Sequence, residues 1–413
     1  MASEIFMGDM PELMETIFKN LKEEPNSLFS CILVNRQWKI FYSLGKNDQF
    51  FTGLEELSVE AVSDFGGMDE AIMLLRILAK YTTKIITIKF KALDYHFEPQ
   101  IYHAIAKIVK SQKQLKRFNL NCEAKSQTGI QGIISALEKQ SKFLQKIRIK
   151  NCVYYTEFEV LMNCENLKVL RVLYCEQQKV LKVLETGDCR LNTLEISSCP
   201  IEGSSIIRIL ERSGTTLQRL KLDSIDQEIF SQQLLLETLI KFCPNIIYLY
   251  ISYIKLCDQL FNLMSNSKNL QFLTLLWTDD RPEEEVKTQI IQLAKALPLN
   301  IQYLDLGNFW INSYIDVFLD HCNISLKKLL FSINFDQNYE KTTEALFKFW
   351  SRKRSLEEVN ASLYESASVC ENGSMLVGRY KSTNVSISSW GKLKKDLEEY
   401  VKLVPYESIV VNC

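Results

Sequence analysis

The sequence predicts an α/β repeat protein, in which short parallel strands alternate with helices along most of the chain. Two observations favour this fold class. An apolar triplet recurs every 23 to 31 residues, and amphipathic stretches of helical length lie between the copies. The composition agrees, since 46% apolar and 24% charged residues, with only 14 Gly and 8 Pro, are typical of a folded chain without long flexible linkers.

The triplet has the form Leu-x-x-Leu-x-Leu, with Ile, Val and Phe as substitutes. In a strand the fourth and sixth positions point the same way, into a core, while the first enters from the preceding turn. Clear copies are Leu115-Phe118-Leu120, Leu144-Ile147-Ile149, Leu167-Leu170-Val172, Leu191-Leu194-Ile196, Leu217-Leu220-Leu222, Ile246-Leu249-Ile251, Leu270-Leu273-Leu275, Ile301-Leu304-Leu306 and Leu326-Leu329-Phe331. Weaker copies are Leu54-Leu57-Val59, Ile85-Ile88-Phe90 and Leu356-Val359-Ala361. Twelve copies in near-regular order predict a repeat.

The stretches between triplets, such as Ile130 to Lys139 and Gln232 to Phe242, have helical periodicity. A unit of one strand and one helix cannot bury its apolar face alone, so the units must stack. The pattern resembles leucine-rich repeats, which implies a solenoid with a curved parallel sheet on the concave side and helices outside. We predict this solenoid over residues 45–364.

The cysteines fit the same repeat. Cys152, Cys175 and Cys199 come shortly after the last core position of their triplets, with Cys122 near the corresponding place. Leucine-rich repeats place Asn or Cys there. The alternative is metal binding, but there is no Cys-x-x-Cys pair and the spacing of 23 to 24 follows the repeat. We therefore expect buried free thiols, no metal and no cofactor.

The sequence also restricts location and partners. The N-terminus does not have the basic and apolar regions of a signal peptide, and no run reaches the ~18 apolar residues of a membrane span. We expect a cytoplasmic or nuclear protein with no membrane partner. A formal net charge of −1 gives no global reason to expect nucleic acid.

The first 44 residues lack the triplet and predict short helices. Asp9 and Glu12 have capping-box spacing, with Pro11 in the first turn. Apolar residues then recur at helical spacing, and a second apolar stretch follows Glu24-Pro25. About 40 residues cannot bury this much apolar surface among themselves. The surplus faces either a partner or the first strand of the solenoid, which the segment would cap.

This N-terminal segment resembles an F-box. Met10-Pro11-Glu12-Leu13 and the apolar positions through Trp38 match the motif over about 35 residues. It departs from the family at Met10, at Asn35-Arg36 and in the short path from Trp38 to Leu54. The resemblance implies binding to a Skp-family adaptor and, through it, to a cullin–RING ubiquitin ligase. It implies an adaptor surface made by Pro11, Leu13, Ile17, Leu21, Leu28, Val34 and Trp38.

The resemblance therefore implies a substrate-recognition subunit of an SCF-type ligase, whose repeats bind a protein substrate. The alternative is a leucine-rich-repeat interaction scaffold with no ligase role. The sequence has no Gly-x-Ser-x-Gly elbow, His-Glu-x-x-His or P-loop, so we expect no catalysis by this chain. In the ligase interpretation the chemistry belongs to partner enzymes.

The strand register predicts which side chains lie on the concave face. Basic residues come first in the chain and aromatic residues follow. The predicted substrate-binding residues are Lys89, Arg117, Lys146, Arg148, Arg171, Lys221, Tyr248, Tyr250, Phe272 and Tyr303, with Lys91, Lys150, Arg219 and Leu276 on the same face. Our hypothesis is a protein ligand with an acidic or phosphorylated segment beside an apolar one. The alternatives are a merely solvated face and, less favoured, nucleic acid.

The last segment, 365–413, is predicted to form a cap and tail. A Ser-rich stretch precedes Trp390 to Leu403, which has an amphipathic helical pattern. Terminal repeats need a polar-backed cap, so we expect this helix to close the solenoid. A regulatory or partner-binding tail is the alternative.

Overall fold

The computed structural model divides the chain into two compact units, Met1–Arg190 and Leu191–Cys413. Each is described by itself below. The residues that the structure describes are 51–60, 68–93, 99–122, 129–153, 156–175, 181–182, 185, 190–199, 201, 203–224, 232–277, 283–306, 314–333, 339–353, 358–363 and 402–403.

Within its described residues the first unit contains five strands that pair in chain order, every pair parallel. A helical segment precedes each strand from β2 to β5. The elements are β1 (Glu56–Glu60), α1 (Met68–Tyr81), β2 (Thr87–Leu93), α2 (Pro99–Ser111), β3 (Arg117–Cys122), α3 (Ile130–Ala136), a 3₁₀ helix (Leu137–Gln140), β4 (Lys146–Lys150), a second 3₁₀ helix (Thr156–Asn163) and β5 (Val169–Leu173).

The second unit continues the same alternation. Its strands also pair in chain order, and the recorded registers are parallel. The elements are β6 (Thr193–Cys199), α4 (Gly203–Ser213), β7 (Arg219–Ser224), α5 (Gln232–Phe242), β8 (Tyr248–Ile254), α6 (Asp258–Asn266), β9 (Phe272–Trp277), α7 (Glu283–Ala296), β10 (Tyr303–Leu306), α8 (Ile315–His321), β11 (Lys328–Ile333), α9 (Tyr339–Lys353), β12 (Glu358–Leu363) and β13 (Lys402–Leu403).

The predicted fold is confirmed: both units are built from α/β leucine-rich repeats. The fourth and sixth positions of all twelve triplets lie in strands β1 to β12. In β4, for example, Ile147 and Ile149 are buried, and they pair in register with Phe118 and Leu120 of β3. Apolar residues of the helices are buried with them, so the helices pack on this core face of each sheet.

Both stretches given above as helical are helical in the structure, and 3₁₀ geometry replaces the α-helix in two places. Helix α5 spans Gln232–Phe242 as predicted. The stretch from Ile130 begins as α3 and continues as a 3₁₀ helix to Gln140. Between β4 and β5 the connection is a 3₁₀ helix, Thr156–Asn163. The repeat is shortest here, since the triplets begin 23 residues apart, and a tighter element fits the shorter connection.

A left-handed residue ends several strands. Asn151, Tyr174, Ser198 and Tyr253 all have φ between 51° and 55°, and each comes seven residues after the first leucine or isoleucine of its triplet. The turn directs the next residue back into the core. In three repeats that residue is cysteine.

These cysteines confirm the prediction of buried free thiols. Cys152, Cys175 and Cys199 are buried and free. Each thiol donates to the carbonyl oxygen two residues earlier, at 3.2 to 3.3 Å. The Sγ of Cys122 lies 3.0 Å from that of Cys152, and this hydrogen bond, together with burial, raises the pKa of Cys152. The thiols therefore act as small core residues that also satisfy strand-end carbonyls.

Buried glutamines connect successive repeats in the first unit. The Nε2 of Gln140 donates to the carbonyl oxygens of Val109 and Gln112, and its Oε1 accepts from the N–H of Leu115. Gln112 bonds to the carbonyls of Thr82 and Ile108 and to the N–H of Ile85 in the same way. Each amide thus satisfies backbone groups where a helix of one repeat turns into the next strand.

Asparagines form a second connection between repeats. Asn245, Asn269 and Asn300 each precede the first apolar residue of a triplet in the second unit. Their Nδ2 atoms donate to the carbonyl oxygens of Thr215, Pro244 and Lys268 in the preceding repeat, at 2.7 to 3.1 Å. In the first unit Asn166 donates to Lys142 at 2.8 Å. We call these bonds the asparagine ladder. The triplet pattern alone does not predict it.

The terminal predictions have mixed outcomes. The predicted cap helix was to end at Leu403, but Lys402–Leu403 is strand β13, which pairs in parallel with β12. That end of the helix prediction is wrong, because strand pairing with β12 overrides the amphipathic pattern there. Residues 390–401 and the F-box-like segment lie outside the described residues. The boundaries at 44 and 364 stay predictions.

Replacing Gln140 with methionine should destabilise the first unit by about 2 to 4 kcal/mol. Methionine has a similar length but leaves two buried carbonyls and one N–H without their partner. The midpoint of urea unfolding, followed by circular dichroism, measures the effect. The matched control is Gln145→Met, because that side chain is exposed. Equal midpoints for the two variants would contradict the assigned role.

Candidate functional site

The strand residues that alternate with the core positions lie on the opposite, open face of each sheet. In the first unit the charge of this face changes from one strand to the next. Strand β1 contributes Glu56, while β3 and β4 contribute four cations. All five basic residues predicted here are on strands and at least partly exposed: Lys89, Arg117, Lys146, Arg148 and Arg171. Their role in ligand binding stays a prediction.

Lys89 is part of an ion pair. Its ammonium contacts the carboxylate of Glu56 on the neighbouring strand, and the two side chains are 39% and 32% exposed. An exposed pair of this kind contributes little to stability. It does cancel charge locally, so Lys89 is less suited to an anionic ligand than the cations further along the sheet.

Strands β3 and β4 together form the most uniform part of the open face. Arg117 pairs in register with Lys146, Asn119 with Arg148, and Asn121 with Lys150. We call these six residues the donor array. Every member is a cation or an amide, and none is acidic. An anion above these two strands meets hydrogen-bond donors at each position.

The geometry of the donor array is fixed by the strands. Neighbouring strands lie about 4.8 Å apart, and residues i and i+2 of one strand lie about 6.6 Å apart. Arg117 is anchored, because its Nε donates to Thr87 Oγ1 at 2.8 Å, which leaves its terminal nitrogens available. Arg148 also has Arg171 of β5 as a register partner. Like charges directly opposite each other destabilise a sheet, so this pairing favours a nearby anion.

An exposed tyrosine borders the donor array. Tyr174 follows β5 at the left-handed position, and its side chain is 46% exposed. The Nζ of Lys150 lies 5.3 Å from the centre of its ring. Sequence reasoning missed Tyr174, because it lies beyond the alternating part of the strand. Its position seven residues after Leu167, equivalent to Asn151 after Leu144, was the available signal.

The open face of the second unit is self-neutralised. Lys221 was predicted to bind substrate, but its Nζ lies 3.7 Å from Glu195, and the two side chains are only 20% and 10% exposed. The same ammonium lies 4.7 Å from the ring centre of Tyr250, another predicted contact residue. Lys221 therefore already has an acid and an aromatic ring as partners.

Asp223 belongs to the same polar group. Burial raises the pKa of its carboxyl group, while the charge of Lys221 and hydrogen bonds from Ser252 and Tyr250 lower it by less. Ser252 also accepts a hydrogen bond from the N–H of Ser224, at 2.9 Å. These contacts bind neighbouring repeats together, so this part of the face serves packing.

The predicted aromatic patch is wrong as an exposed surface at two of its residues, and its role in binding stays a prediction. Tyr248 and Tyr303 are 2% and 1% exposed, although their register places them on the open face. Phe272 lies between them in register, 6.1 Å from the ring of Tyr303, and Arg219 lies 4.8 Å from the ring of Tyr248. Large side chains that are register partners on adjacent strands cover each other. Phe272 and Tyr250 are half-buried.

The remaining site predictions lie outside the described residues. The adaptor-binding set, Pro11 to Trp38, falls there entirely. Among the described residues no group of three His, Cys, Asp or Glu side chains is arranged to hold a metal ion. In the same part of the chain, each helix is too short or too polar to cross a bilayer.

A hollow of about 360 Å³ lies on the helical side of the first unit. Three glutamates, Glu138, Glu157 and Glu159, line it with Val160, Met162 and smaller polar residues. It opens beside the 3₁₀ connection between β4 and β5. The acidic rim makes it opposite in charge to the donor array.

Comparison with known proteins gives structural neighbours only. No family model and no curated protein match the chain. The crystal structure of the Rad7 and Elc1 complex in yeast is 15% identical, covers 92% of this chain and 96% of that chain, and has a TM-score of 0.49. A Bacteroides fragilis protein is 12% identical, with coverages of 78% and 74% and a TM-score of 0.31. A leucine-rich-repeat protein from Leptospira interrogans is 13% identical, with coverages of 88% and 98% and a TM-score of 0.26. None of these three structures reaches a TM-score of 0.5, so the fold assignment rests on the repeats described above.

Replacing Asp223 with asparagine should stabilise the second unit at neutral pH. The folded-state pKa of Asp223 is raised, so the folded state holds its proton more tightly, and stability falls as pH rises from the unfolded towards the folded pKa. Asparagine mimics the protonated acid. Unfolding midpoints of variant and wild type should therefore converge as the pH falls below about 4 and separate, in favour of the variant, by pH 7. A variant that is less stable at pH 7 would show that the charge of Asp223 is a net stabiliser.

Proposed function

We propose that this chain is the substrate-recognition subunit of an SCF-type cullin–RING ubiquitin ligase. The observation that carries the proposal is the order of its parts: an F-box-like sequence, Met10 to Trp38, directly precedes a repeat fold. The first part would recruit a Skp-family adaptor. The repeats would hold a protein substrate close to the ubiquitin-loaded enzyme.

The apolar surplus of the N-terminal segment supports adaptor binding. Leu13, Ile17 and Leu21 form a stripe at i, i+4 and i+8, and Trp38 adds an aromatic side chain. A small apolar interface with an aromatic anchor is one in which a few residues contribute most of the binding energy. The same seven residues, Pro11, Leu13, Ile17, Leu21, Leu28, Val34 and Trp38, are proposed as the adaptor surface.

The open face of the first unit supports the substrate role. The donor array has four cations and no acid, which suits an acidic or phosphorylated segment of a protein. The second unit contributes less than the sequence predicted, because Lys221, Tyr248 and Tyr303 are engaged or buried. The substrate contact is therefore proposed on the first unit.

A scaffold without a ligase role is the second candidate, and one observation favours it. Among the described residues β1 pairs only with β2, so its other edge has backbone groups to satisfy. An N-terminal helical segment could serve as a cap for this edge. In that case its apolar side chains would be buried within the chain and unavailable to an adaptor.

Adaptor binding separates the two candidates. The full chain should co-purify with a Skp-family adaptor, and the Leu13→Ala, Ile17→Ala double variant and Trp38→Ala should each retain at least about tenfold less adaptor. Their circular dichroism spectra should match the wild type. The matched control removes exposed apolar side chains elsewhere, Phe143→Ala and Leu234→Ala, which are 40% and 52% exposed.

The two outcomes have clear meanings. Adaptor retained by wild type and control, but lost by the N-terminal variants, supports the ligase receptor. A wild-type chain that retains no adaptor, with N-terminal variants that unfold at lower urea, supports the cap and the scaffold.

A further inference from the structure

The donor array has a repeat distance that a peptide can match. Lys146, Arg148 and Lys150 point to the open face at positions i, i+2 and i+4 of β4. They are therefore spaced about 6.6 Å apart in one line. In an extended peptide, side chains on one side recur at the same interval. Anions at alternate positions of such a peptide would meet one cation of β4 each.

The neighbouring strand extends the match. Asn119 lies beside Arg148 and Asn121 beside Lys150, while Arg117 lies beside Lys146. Each anion would thus find one cation on β4 and a second donor on β3. Asn151 Nδ2 donates to Asn121 Oδ1 at 3.4 Å, which orients the amide group of Asn121. A carboxylate or phosphoryl group accepts several such bonds at once.

Tyr174 supplies a distinct contact at one end of the line. Its ring stacks near Lys150 and stays 46% exposed. A left-handed backbone is strained for a bulky residue, whereas asparagine, present at the same position in the preceding repeat, tolerates it better. Backbone geometry thus does not explain the tyrosine, and an exposed ring offers an apolar side chain a surface.

We propose that the donor array binds an extended peptide whose acidic or phosphorylated side chains occupy alternate positions, with an apolar residue at one end against Tyr174. The peptide lies along β4, and its central anion is held by Arg148 and Asn119. This site rests on the proposed function, since it assigns the segment by which the repeats hold their protein ligand. Carboxylate and phosphoryl groups share the required chemistry.

The surroundings favour a peptide over nucleic acid. Glu56 on β1 places an acid at one side of this face, so a long polyanion that extends past β2 would meet it. Binding of single strands relies on several aromatic platforms for successive bases. Beside the described donor array, Tyr174 is the exposed aromatic residue. A short segment with three anions fits this area.

Fluorescence anisotropy with synthetic peptides and the full-length chain tests the proposal. The first probe is Leu-Ser-Glu-Ser-Glu-Ser-Glu-Ser-Leu, which places three acids and both leucines on one side. The second has the same composition but three adjacent glutamates. The alternating probe should bind at least about tenfold more tightly, because only it places all three acids in line with β4. Phosphoserine in place of the central glutamate distinguishes the two anion sources, and tighter binding assigns the site to phosphorylated segments.

Variants of the chain locate the site. Arg148→Ala should weaken the alternating probe about tenfold, while Lys107→Ala, an exposed lysine on α2 of the same unit, should leave it unchanged. Tyr174→Asn should weaken the leucine-containing probe but not a version with serine in place of both leucines. Its unfolding midpoint should equal or exceed that of wild type, which excludes misfolding as the cause.

Several results would overturn the site. These are equal binding of the alternating and adjacent-acid probes, no effect of Arg148→Ala, no peptide binding at all, or tighter binding of a single-stranded oligonucleotide of equal charge. The adaptor assay on the same preparations separates the two proposals. Adaptor bound without peptide refutes only this site, whereas peptide bound without adaptor refutes only the ligase role.

Discussion

Every repeat depends on its neighbours to bury its strand. Inward strand residues such as Leu220 and Leu222 in β7 are fully buried only because the strands before and after supply the adjoining apolar side chains. One strand and one helix cannot form such a core alone. The register of each parallel pair is therefore fixed by core matching, and the open-face residues inherit that register.

The same stacking creates a problem for the backbone, which the amide side chains solve. Each passage from a helix to the next strand leaves buried carbonyl and N–H groups without helical or strand partners. Gln112 and Gln140 satisfy them in the first unit, while Asn245, Asn269 and Asn300 bond to exposed carbonyl oxygens of the preceding repeat. The left-handed residues act similarly at strand ends, since they turn a thiol towards a carbonyl.

The sequence predicts the core positions, because these depend on periodicity. It does not predict the burial or pairing of open-face residues, because these depend on side chains of adjacent strands. Core positions follow from a pattern of two inward residues per strand, so all twelve strands were predictable. The burial of Tyr248 and Tyr303 was not, because it depends on which large residues share their row across several strands. Lys221 has the same register position as Arg148 in other repeats, yet an acid in the adjacent strand makes it an internal partner. The alternation of inward and outward side chains along one strand does not show which side chains meet across adjacent strands.

The two units differ in how the side chains on their open faces are partnered. Open-face residues that are register partners on successive strands form a row across the sheet. The chemistry of such a row depends on which charges stand next to each other in it. In the second unit Glu195, Lys221 and Tyr250 are successive register partners. The ammonium of Lys221 therefore contacts both the acid and the aromatic ring beside it. In the first unit Asn119, Arg148 and Arg171 are successive register partners, so these three positions contribute two cations and one amide but no acid. In the proposed binding mode an anion above Arg148 would interact with two neighbouring guanidinium groups, and its binding would stabilise the folded chain. In the row around Lys221 an anionic ligand would instead have to displace Glu195, which already pairs with that lysine.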